Sequence, residues 1–447
     1  MFISQQKFLV VGISKSGISA CKYILNKGGV CYFFEQVSTD KIIQAKKEIS
    51  MLGGIEVDLD GAYEIINLID VVVLSPGVPI NHKLAMVAKE RNKRIVGEFE
   101  FGMSQLTPTI VGVTGTNGKT TTVHLISSIL NEAKCKFSLC GNVGVPITSE
   151  IENITDNKLA IAEVSSFQLE TISSFCPHIS CVLNVSPDHL ERHYTMENYV
   201  YLKKRIYKNQ KESEYTVLNL DDNVVREFAK DCKGKVVWVS TNEKTEGAYF
   251  KDSYLYWQDH PIIEKKELSI SGEHNIYNAL FSIAVCSLLG IDRETIAKGL
   301  KEFKGIPHRI QLVSEKDGVR YYNDSKSTNT ASTINAINSM KGETILILGG
   351  SEKGEKYDGL FKVIKESSIK HTIITGASRF NMLEQAVKQG LVDFSVTPDF
   401  FIAIKTAKSM ATCGDNVLLS PACASFDRFS GYEERGNAFI KVVEELE

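Results

Sequence analysis

The stretch between Thr109 and Leu130 constrains the fold of this chain more than any other. The apolar run Thr109–Val113 predicts a buried strand, and Thr121–Leu130 predicts a helix. Between them lies a glycine-rich turn that ends in Gly118-Lys119-Thr120, an order typical of a phosphate-binding loop. We therefore expect nucleotide phosphates here, with Lys119 facing them and the Thr120 hydroxyl available to Mg²⁺.

The loop departs from the common pattern at one position. Val113 stands where the first glycine is usual, and the glycines are Gly112, Gly115 and Gly118. An ordinary glycine-rich turn is the alternative, but the lysine and threonine that follow Gly118 favour phosphate binding.

Composition indicates an ordinary globular chain. The 447 residues predict roughly three domains, and the net charge of −3 gives no basic footprint for nucleic acid. The ten cysteines include no Cys-x-x-Cys pair, and Cys181 and Cys286 lie in apolar runs, so we expect free thiols in a reducing compartment. No signal peptide and no apolar run of about 20 residues is visible, which predicts a cytoplasmic protein without membrane contact.

The N-terminal segment predicts a Rossmann-like unit. Strand Lys7–Val11 leads through a turn into a helix, and strand Val30–Phe34 ends at Glu35. Ser14 takes the place of the second glycine of a dinucleotide fingerprint, so a mononucleotide or nucleotide sugar is favoured over NAD. A Rossmann-like domain without a ligand stays an alternative. Ser75 follows a further strand, where such sheets bind ligands.

In the central segment, polar side chains follow two predicted strands. Glu163 ends one strand and His189 follows the other, so both are candidate metal ligands beside the phosphate-binding loop. The helix predicted over Tyr199–Lys208 places Lys203 on its apolar stripe. A lysine that snorkels its stem is the alternative interpretation. A polar entrance, Gly272–Asn278, precedes a helix predicted over Ala279–Leu289.

Alternating strands and helices predict a third α/β domain after a hinge at Gly305–Arg309. Its strand ends carry side chains suited to anions, namely Asp324, Lys326, Lys353 and Ser425. A linker is predicted near Arg94–Phe101, before the central domain.

Several motifs together resemble the muramyl ligase family over essentially the whole chain. They are Thr114–Thr121, Glu163–Leu169, Pro187–Leu190, Gly272–Asn275 and Pro307–Arg309. Within that family, Asn323–Asn329 and Leu419–Asp427 look like the signatures of the member that adds D-glutamate.

The resemblance implies an α/β fold of three domains. These are a Rossmann-like UDP-binding domain over residues 1–97, a central P-loop-type ATP-binding domain with a mainly parallel sheet over 98–305, and a C-terminal Rossmann-like amino-acid-binding domain over 306–447. The implied activity is that of an ATP-dependent amide ligase adding D-glutamate to UDP-N-acetylmuramoyl-L-alanine in peptidoglycan precursor synthesis. The reaction would pass through an acyl phosphate and a tetrahedral intermediate, giving ADP and phosphate, with two Mg²⁺ ions and in a monomeric enzyme.

The resemblance also implies residue roles. Lys119, Glu163, His189 and Lys203 would be catalytic, and Mg²⁺ would be held by Thr120, Glu163, His189 and Lys203 as a carbamate. ATP would contact Gly115, Thr116, Asn117, Gly118, Lys119, Thr120, Thr121, Asn278, Arg309, Asp324 and Lys326. The UDP substrate would contact Ser16, Glu35, Gln36, Ser75, Asn142 and His189, and the amino acid Thr328, Lys353, Ser425, Phe426 and Tyr432.

Two other functions remain open at this point. A folate-type polyglutamate ligase would share the central domain, but the N-terminal segment argues against it. A non-catalytic or NAD-binding Rossmann protein would leave Lys119, Glu163 and His189 without a role.

Overall fold

The computed structural model describes residues 3–106, 108–154, 159–270, 272–303, 305–352 and 356–446. The chain folds into two compact units, Met1–Phe303 and Lys304–Glu447. Two mostly parallel sheets lie in the first unit and one in the second, which confirms the predicted α/β class. In the described residues, every helix is too short or too polar to cross a membrane.

The first sheet is fully parallel. Its strands are β1 (Lys7–Val11), β2 (Val30–Phe34), β3 (Ile55–Glu56), β4 (Val71–Leu74) and β5 (Arg94–Gly97), and its helices are α1 (Lys15–Asn26), α2 (Asp40–Met51), α3 (Leu59–Ile65) and α4 (Lys83–Glu90). The strand order is β3-β2-β1-β4-β5, so it reverses between β1 and β4. Ligands of such sheets bind where the order reverses, which places the loops after β1 and β4 at the expected position.

The prediction of a linker near Arg94–Phe101 is wrong, because these residues form regular secondary structure. Residues 94–97 form β5, and helix α5 (Glu98–Met103) follows with every residue buried. Phe101 packs on Phe8 of the first sheet, whereas Phe99 packs on Phe175 of the next module. The buried carboxylates are paired, since Glu98 accepts hydrogen bonds from Thr148 and Glu100 from Ser173, Ser174 and Phe175. These partners satisfy the two carboxylates and so let them lie inside the protein.

The second sheet carries the loop that is predicted to bind phosphate. Its strands are β6 (Thr109–Thr114), β7 (Phe137–Gly141), β8 (Leu159–Glu163), β9 (Ile179–Val182), β10 (Tyr215–Asn219), β11 (Lys235–Ser240), β12 (Ala248–Lys251), β13 (Tyr254–Trp257) and β14 (His260–Glu264). The helices are α6 (Lys119–Glu132), α7 (Ile147–Glu150), α8 (Ser166–Leu169), α9 (Leu190–His193), α10 (Met196–Lys204), α11 (Asn223–Arg226), α12 (Glu273–Leu288) and α13 (Arg293–Lys301). In the order β14-β13-β12-β11-β10-β9-β6-β8-β7, strand β6 lies between β8 and β9, so all three carboxyl ends meet at one edge. The predicted antiparallel hairpin at Tyr254–Trp257 is confirmed.

Two predicted helices have different limits in the structure. Helix α10 begins at Met196, because the Thr195 side chain caps it by accepting from the Asn198 N–H, and a 3₁₀ turn continues it over Arg205–Tyr207. Helix α12 begins at Glu273, so the polar residues predicted as its entrance form its first turns.

The second unit has one six-stranded sheet among its described residues. Its strands are β15 (Gln311–Lys316), β16 (Val319–Asn323), β17 (Thr344–Gly349), β18 (Ile369–Thr375), β19 (Phe394–Val396) and β20 (Asn416–Leu419). The helices are α14 (Thr330–Ser339), α15 (Asp358–Glu366), α16 (Arg379–Lys388), α17 (Phe400–Met410) and α18 (Tyr432–Glu445). Only β15 runs antiparallel in the order β15-β16-β20-β17-β18-β19, and apolar clusters cover both faces.

Candidate active site

The loop between β6 and α6 has the predicted shape of a phosphate-binding loop. Gly118 has a φ of 84° and a Cβ there would collide with Asn278 Oδ1, so this close approach to α12 requires glycine. The loop is held from the β9 side: Asn117 N donates to Asn184 Oδ1 (2.8 Å), and Asn184 Nδ2 donates to Asn117 O (3.1 Å). Asn184 was not predicted as a site residue, although its position just after a strand could have indicated that it lies near the loop.

The Lys119 side chain folds back onto its own loop. Its Nζ donates to the carbonyl oxygens of Gly115 (2.9 Å) and Thr116 (2.8 Å). Thr120 and Thr121 are buried in the first turn of α6. The N-terminal N–H groups of this helix and a lysine charge are thus concentrated at one point, which suits an anion.

Glu163 is a buried carboxylate with one unused oxygen. It ends β8 at 1% exposure, and its Oε1 accepts a hydrogen bond from Asn142 Nδ2 (2.7 Å). Its Oε2 is buried and has no hydrogen-bond partner. A buried anionic oxygen without a donor is costly unless a cation binds it, so the structure fits a metal ion at this oxygen.

Lys203 is buried on α10, as its place on the apolar stripe predicted. It is 1% exposed, its Nζ donates to Gly115 O (2.8 Å), and the same Nζ lies 4.6 Å from the centre of the Tyr199 ring. Burial, and secondly the charge of Lys119, hold the pKa of Lys203 well below its ordinary value. The amine therefore has a larger neutral fraction near neutral pH than an exposed lysine.

His189 lies near carboxylates of its own segment. It has a φ of 52°, its side chain is 46% exposed, and its nitrogens lie 3.6 Å from Asp188 Oδ2 and 3.5 Å from Glu191 Oε1. The ring packs on Phe167, with 4.9 Å between centroids. In the described residues, no three His, Cys, Asp or Glu side chains cluster in a way that could hold a metal ion. Side chains of these four types thus supply few ligands around Glu163.

The candidate UDP residues lie where the first sheet reverses its order. Ser75 Oγ donates to Gly12 O (2.6 Å), which joins the loops after β4 and β1. Glu35 accepts from Ile13 N (2.7 Å) and Val37 N (2.8 Å), so its carboxylate orders the loops after β1 and β2. Ser16 is half-buried and Gln36 is exposed beside these loops.

In the second unit, Asp324 directly follows β16 and is buried. Ser420 Oγ donates to its Oδ2 (2.7 Å) and Ile310 N to its Oδ1 (3.2 Å), while desolvation raises the pKa of Asp324 to about 6. Lys326 Nζ lies 5.6 Å from the centre of the Tyr432 ring, so these two predicted site residues are brought together. Arg309 is exposed.

The other residues predicted to contact the amino acid substrate differ in how exposed they are. Ser425 is buried, Thr328 is half-buried, and the Phe426 side chain is 69% exposed. Lys353 lies outside the described residues. Arg435 was missed: it is buried, and it donates to Ser325 O (2.9 Å), Ser325 Oγ (3.0 Å) and Ala424 O (3.2 Å). It therefore joins the loops after β16 and β20, and its position in a helix of mixed charge gave no signal.

Comparison with known proteins identifies the family. The Mur ligase middle domain matches residues 113–286, and the Mur ligase glutamate ligase domain matches residues 308–423. The chain is 38% identical to the UDP-N-acetylmuramoylalanine–D-glutamate ligase of Caldicellulosiruptor saccharolyticus over 99% of both chains, and 38% identical to that of Caldanaerobacter subterraneus over 100% of both. Among solved structures, the UDP-N-acetylmuramate–alanine ligase of Thermotoga maritima shares the fold with a TM-score of 0.61 at 15% identity, covering 99% of this chain and 100% of that one. The chain belongs to the Mur ligase family.

Proposed function

We propose that this protein joins D-glutamate to UDP-N-acetylmuramoyl-L-alanine and converts ATP to ADP and phosphate. The buried Glu163 beside the phosphate-binding loop is the observation that carries the reaction class, because it sets a free carboxylate oxygen beside a nucleotide phosphate site. The relatives that match over the full chain support the choice of substrates.

The nucleotide is proposed to bind at the loop between β6 and α6. The ATP contacts would be Gly115, Thr116, Asn117, Gly118, Lys119, Thr120, Thr121 and Asn278, with Arg309, Asp324 and Lys326 from the second unit. To meet a phosphate, Lys119 exchanges its bonds to the two loop carbonyls for bonds to the anion.

Two Mg²⁺ ions are proposed, held by Thr120, Glu163, His189 and Lys203. The free oxygen of Glu163 supports one ion at that carboxylate. Lys203 would act as a carbamate, since its neutral amine can add CO₂ with loss of a proton and so becomes an anion with two oxygens. When bound, Mg²⁺ neutralises charge on the phosphate oxygens.

The chemistry then needs positioned charges and no protein nucleophile. The alanine carboxylate takes the γ-phosphoryl group and forms an acyl phosphate, with ADP as the leaving group. The neutral amine of D-glutamate attacks the acyl carbon, and the nitrogen of the tetrahedral intermediate loses a proton. The intermediate then expels phosphate to leave an amide. Lys119 stabilises negative charge that gathers in both steps.

The remaining substrate contacts follow from the same proposal. Ser16, Glu35, Gln36 and Ser75 would hold the UDP group, with Asn142 and His189 nearer the sugar and its alanine. Thr328, Lys353, Ser425, Phe426 and Tyr432 would receive the amino acid. The three sheets support domains at 1–97, 98–305 and 306–447. We further propose that the enzyme is monomeric and cytoplasmic and that its substrates are small molecules.

A single assay tests the activity. Purified protein with ATP and Mg²⁺ is given UDP-N-acetylmuramoyl-L-alanine and, in separate reactions, D-glutamate, L-glutamate, L-alanine and L-lysine. We expect phosphate release and a product heavier by one glutamate residue with D-glutamate alone. Equal or greater turnover with another amino acid, or phosphate release that does not need the UDP substrate, would contradict the proposal.

A further inference from the structure

Arg192, on α9, uses all of its donors to join three separate segments. A guanidinium has five N–H groups. Nε and Nη2 donate to the carboxylate of Glu170 (3.0 and 2.6 Å), and Nη1 donates to Pro76 O (3.1 Å) and Gly77 O (3.4 Å). The second donor of Nη2 reaches Val78 O (3.4 Å). This five-bond set is called the Arg192 clamp below.

The clamp is largely shielded from water. The Arg192 side chain is 15% exposed and that of Glu170 is 9% exposed. The guanidinium also lies 4.2 Å from the centre of the Phe167 ring. The same ring packs against His189. Bidentate pairing with stacking on an aromatic face is specific to arginine, so a lysine at this position could not reproduce the arrangement.

The three joined segments lead to different parts of the candidate site. The Pro76–Val78 loop directly follows Ser75, at the reversal point of the first sheet. Glu170 follows α8, which continues from the Glu163 strand. Arg192 itself lies in the short helix that His189 begins. The clamp therefore connects the proposed UDP pocket with Glu163 and His189, the proposed metal ligands of the second sheet.

We propose that Arg192 is a positioning residue that fixes the distance between the UDP pocket and the reacting carboxylate. This rests on the proposed function, in which one substrate molecule spans both places. With the clamp intact, binding the UDP end brings the alanine carboxylate to Glu163 and His189. Without it, each half of the site still binds its own group, but a substrate that bridges them meets a variable distance.

The test compares fragments with the whole substrate. Arg192→Lys keeps the charge but loses the fork, and Arg226→Lys is the matched control, since Arg226 is exposed and makes one bond, to Leu220 O. Dissociation constants are measured for UDP, ADP and UDP-N-acetylmuramoyl-L-alanine, together with kcat/KM. For Arg192→Lys we expect UDP and ADP binding within twofold of the wild type, and kcat/KM for the UDP-sugar substrate lower by at least tenfold. Arg226→Lys should match the wild type throughout.

Two results would overturn the role of Arg192. Unchanged kcat/KM would show that the distance is fixed without it, and parallel losses of UDP, ADP and substrate binding would show a purely structural role. Should Arg192→Lys fail to fold, Glu170→Gln weakens the same clamp and should give the same pattern with a smaller loss, at least threefold. A wild-type enzyme without turnover would instead contradict the proposed function, while the comparison of UDP with the whole substrate in binding would still decide the role of Arg192.

Discussion

Lys119 and Lys203 donate hydrogen bonds to the same atom, the carbonyl oxygen of Gly115, at 2.9 and 2.8 Å. Two amines that share one acceptor repel each other if both are charged. Burial, and secondly this charge of Lys119, lower the pKa of Lys203. Lys119 lies at the start of α6, where a phosphate can recruit it, whereas Lys203 is enclosed on α10. The burial of Lys203 and the nearby charge of Lys119 thus give Lys203 a larger neutral fraction than an exposed lysine has.

The first prediction concerns Lys119 as the charge that meets the phosphates. Lys119→Ala should lower kcat by about 10²–10³-fold, because it removes one donor to the charge that develops in a water-poor site. Phosphate release with saturating substrates measures the effect. Lys266→Ala removes an exposed lysine from a surface ion pair and should leave kcat unchanged. A folded Lys119→Ala protein with near-normal phosphate release would contradict the role.

The second prediction concerns Lys203 as a carbamate. Lys203→Ala should be nearly inactive, and a short carboxylic acid in the buffer should restore part of the activity by placing a carboxylate in the gap. A short amine should restore none. The neighbour Lys204 pairs with Asp231 on another face of α10, so Lys204→Ala should stay active and need no rescue. Rescue by the amine and not by the acid would show that Lys203 works as a cation.

Local patterns predicted some features of the site and not others. The burial of Lys203 followed from helical spacing, and the place of Glu163 followed from a strand end, since both depend on nearby sequence. The Arg192 clamp joins loops more than 100 residues apart along the chain, so no local pattern could predict it. Helix α5 was misjudged as part of a linker, because the partners that satisfy its buried carboxylates, such as Thr148, come from distant parts of the chain and leave no local signal.

The third prediction concerns the unused oxygen of Glu163. Glu163→Gln removes a buried charge that only Asn142 satisfies, and should lower kcat by about 10²-fold or more because the metal loses its carboxylate. The ligand-free variant should also be more stable than the wild type, by about 1 kcal/mol, since a buried charge with one oxygen lacking a hydrogen-bond donor is removed. Urea unfolding without Mg²⁺ measures the stability change. A variant that is both inactive and less stable would show that Glu163 supports the fold instead.

The fourth prediction concerns the pH dependence of stability that Asp324 gives. Its pKa is raised to about 6 in the folded state from 3.8, so the folded protein binds the proton more tightly than the unfolded chain. The stabilisation that this tighter proton binding gives the folded protein is therefore fully present below pH 3.8 and is lost as the pH rises through about 6. At pH 7, Asp324→Asn should raise the free energy of unfolding by about 2–3 kcal/mol, because no buried carboxylate ionises.

Thermal unfolding from pH 4.5 to 7.5 measures this effect as a difference between Asp324→Asn and the wild type. Other carboxylates titrate equally in both proteins, so they cancel in the difference. The difference in unfolding temperature between the two proteins should increase as the pH rises towards 7. A difference that is constant with pH, or that increases towards pH 4.5, would show that Asp324 is not the group responsible.

The fifth prediction concerns Phe426 as a contact for the amino acid. This phenyl ring follows β20 and is 69% exposed, so its removal should cost little stability and the ring is accessible to a substrate. Phe426→Ala should raise KM for D-glutamate at least fivefold, while KM for the UDP substrate stays within twofold. Phe380→Ala is the matched control, because Phe380 is 65% exposed in the same unit and stacks with Arg379. If KM for the UDP substrate rose instead, or if both variants raised KM for D-glutamate equally, the amino acid would not bind against Phe426.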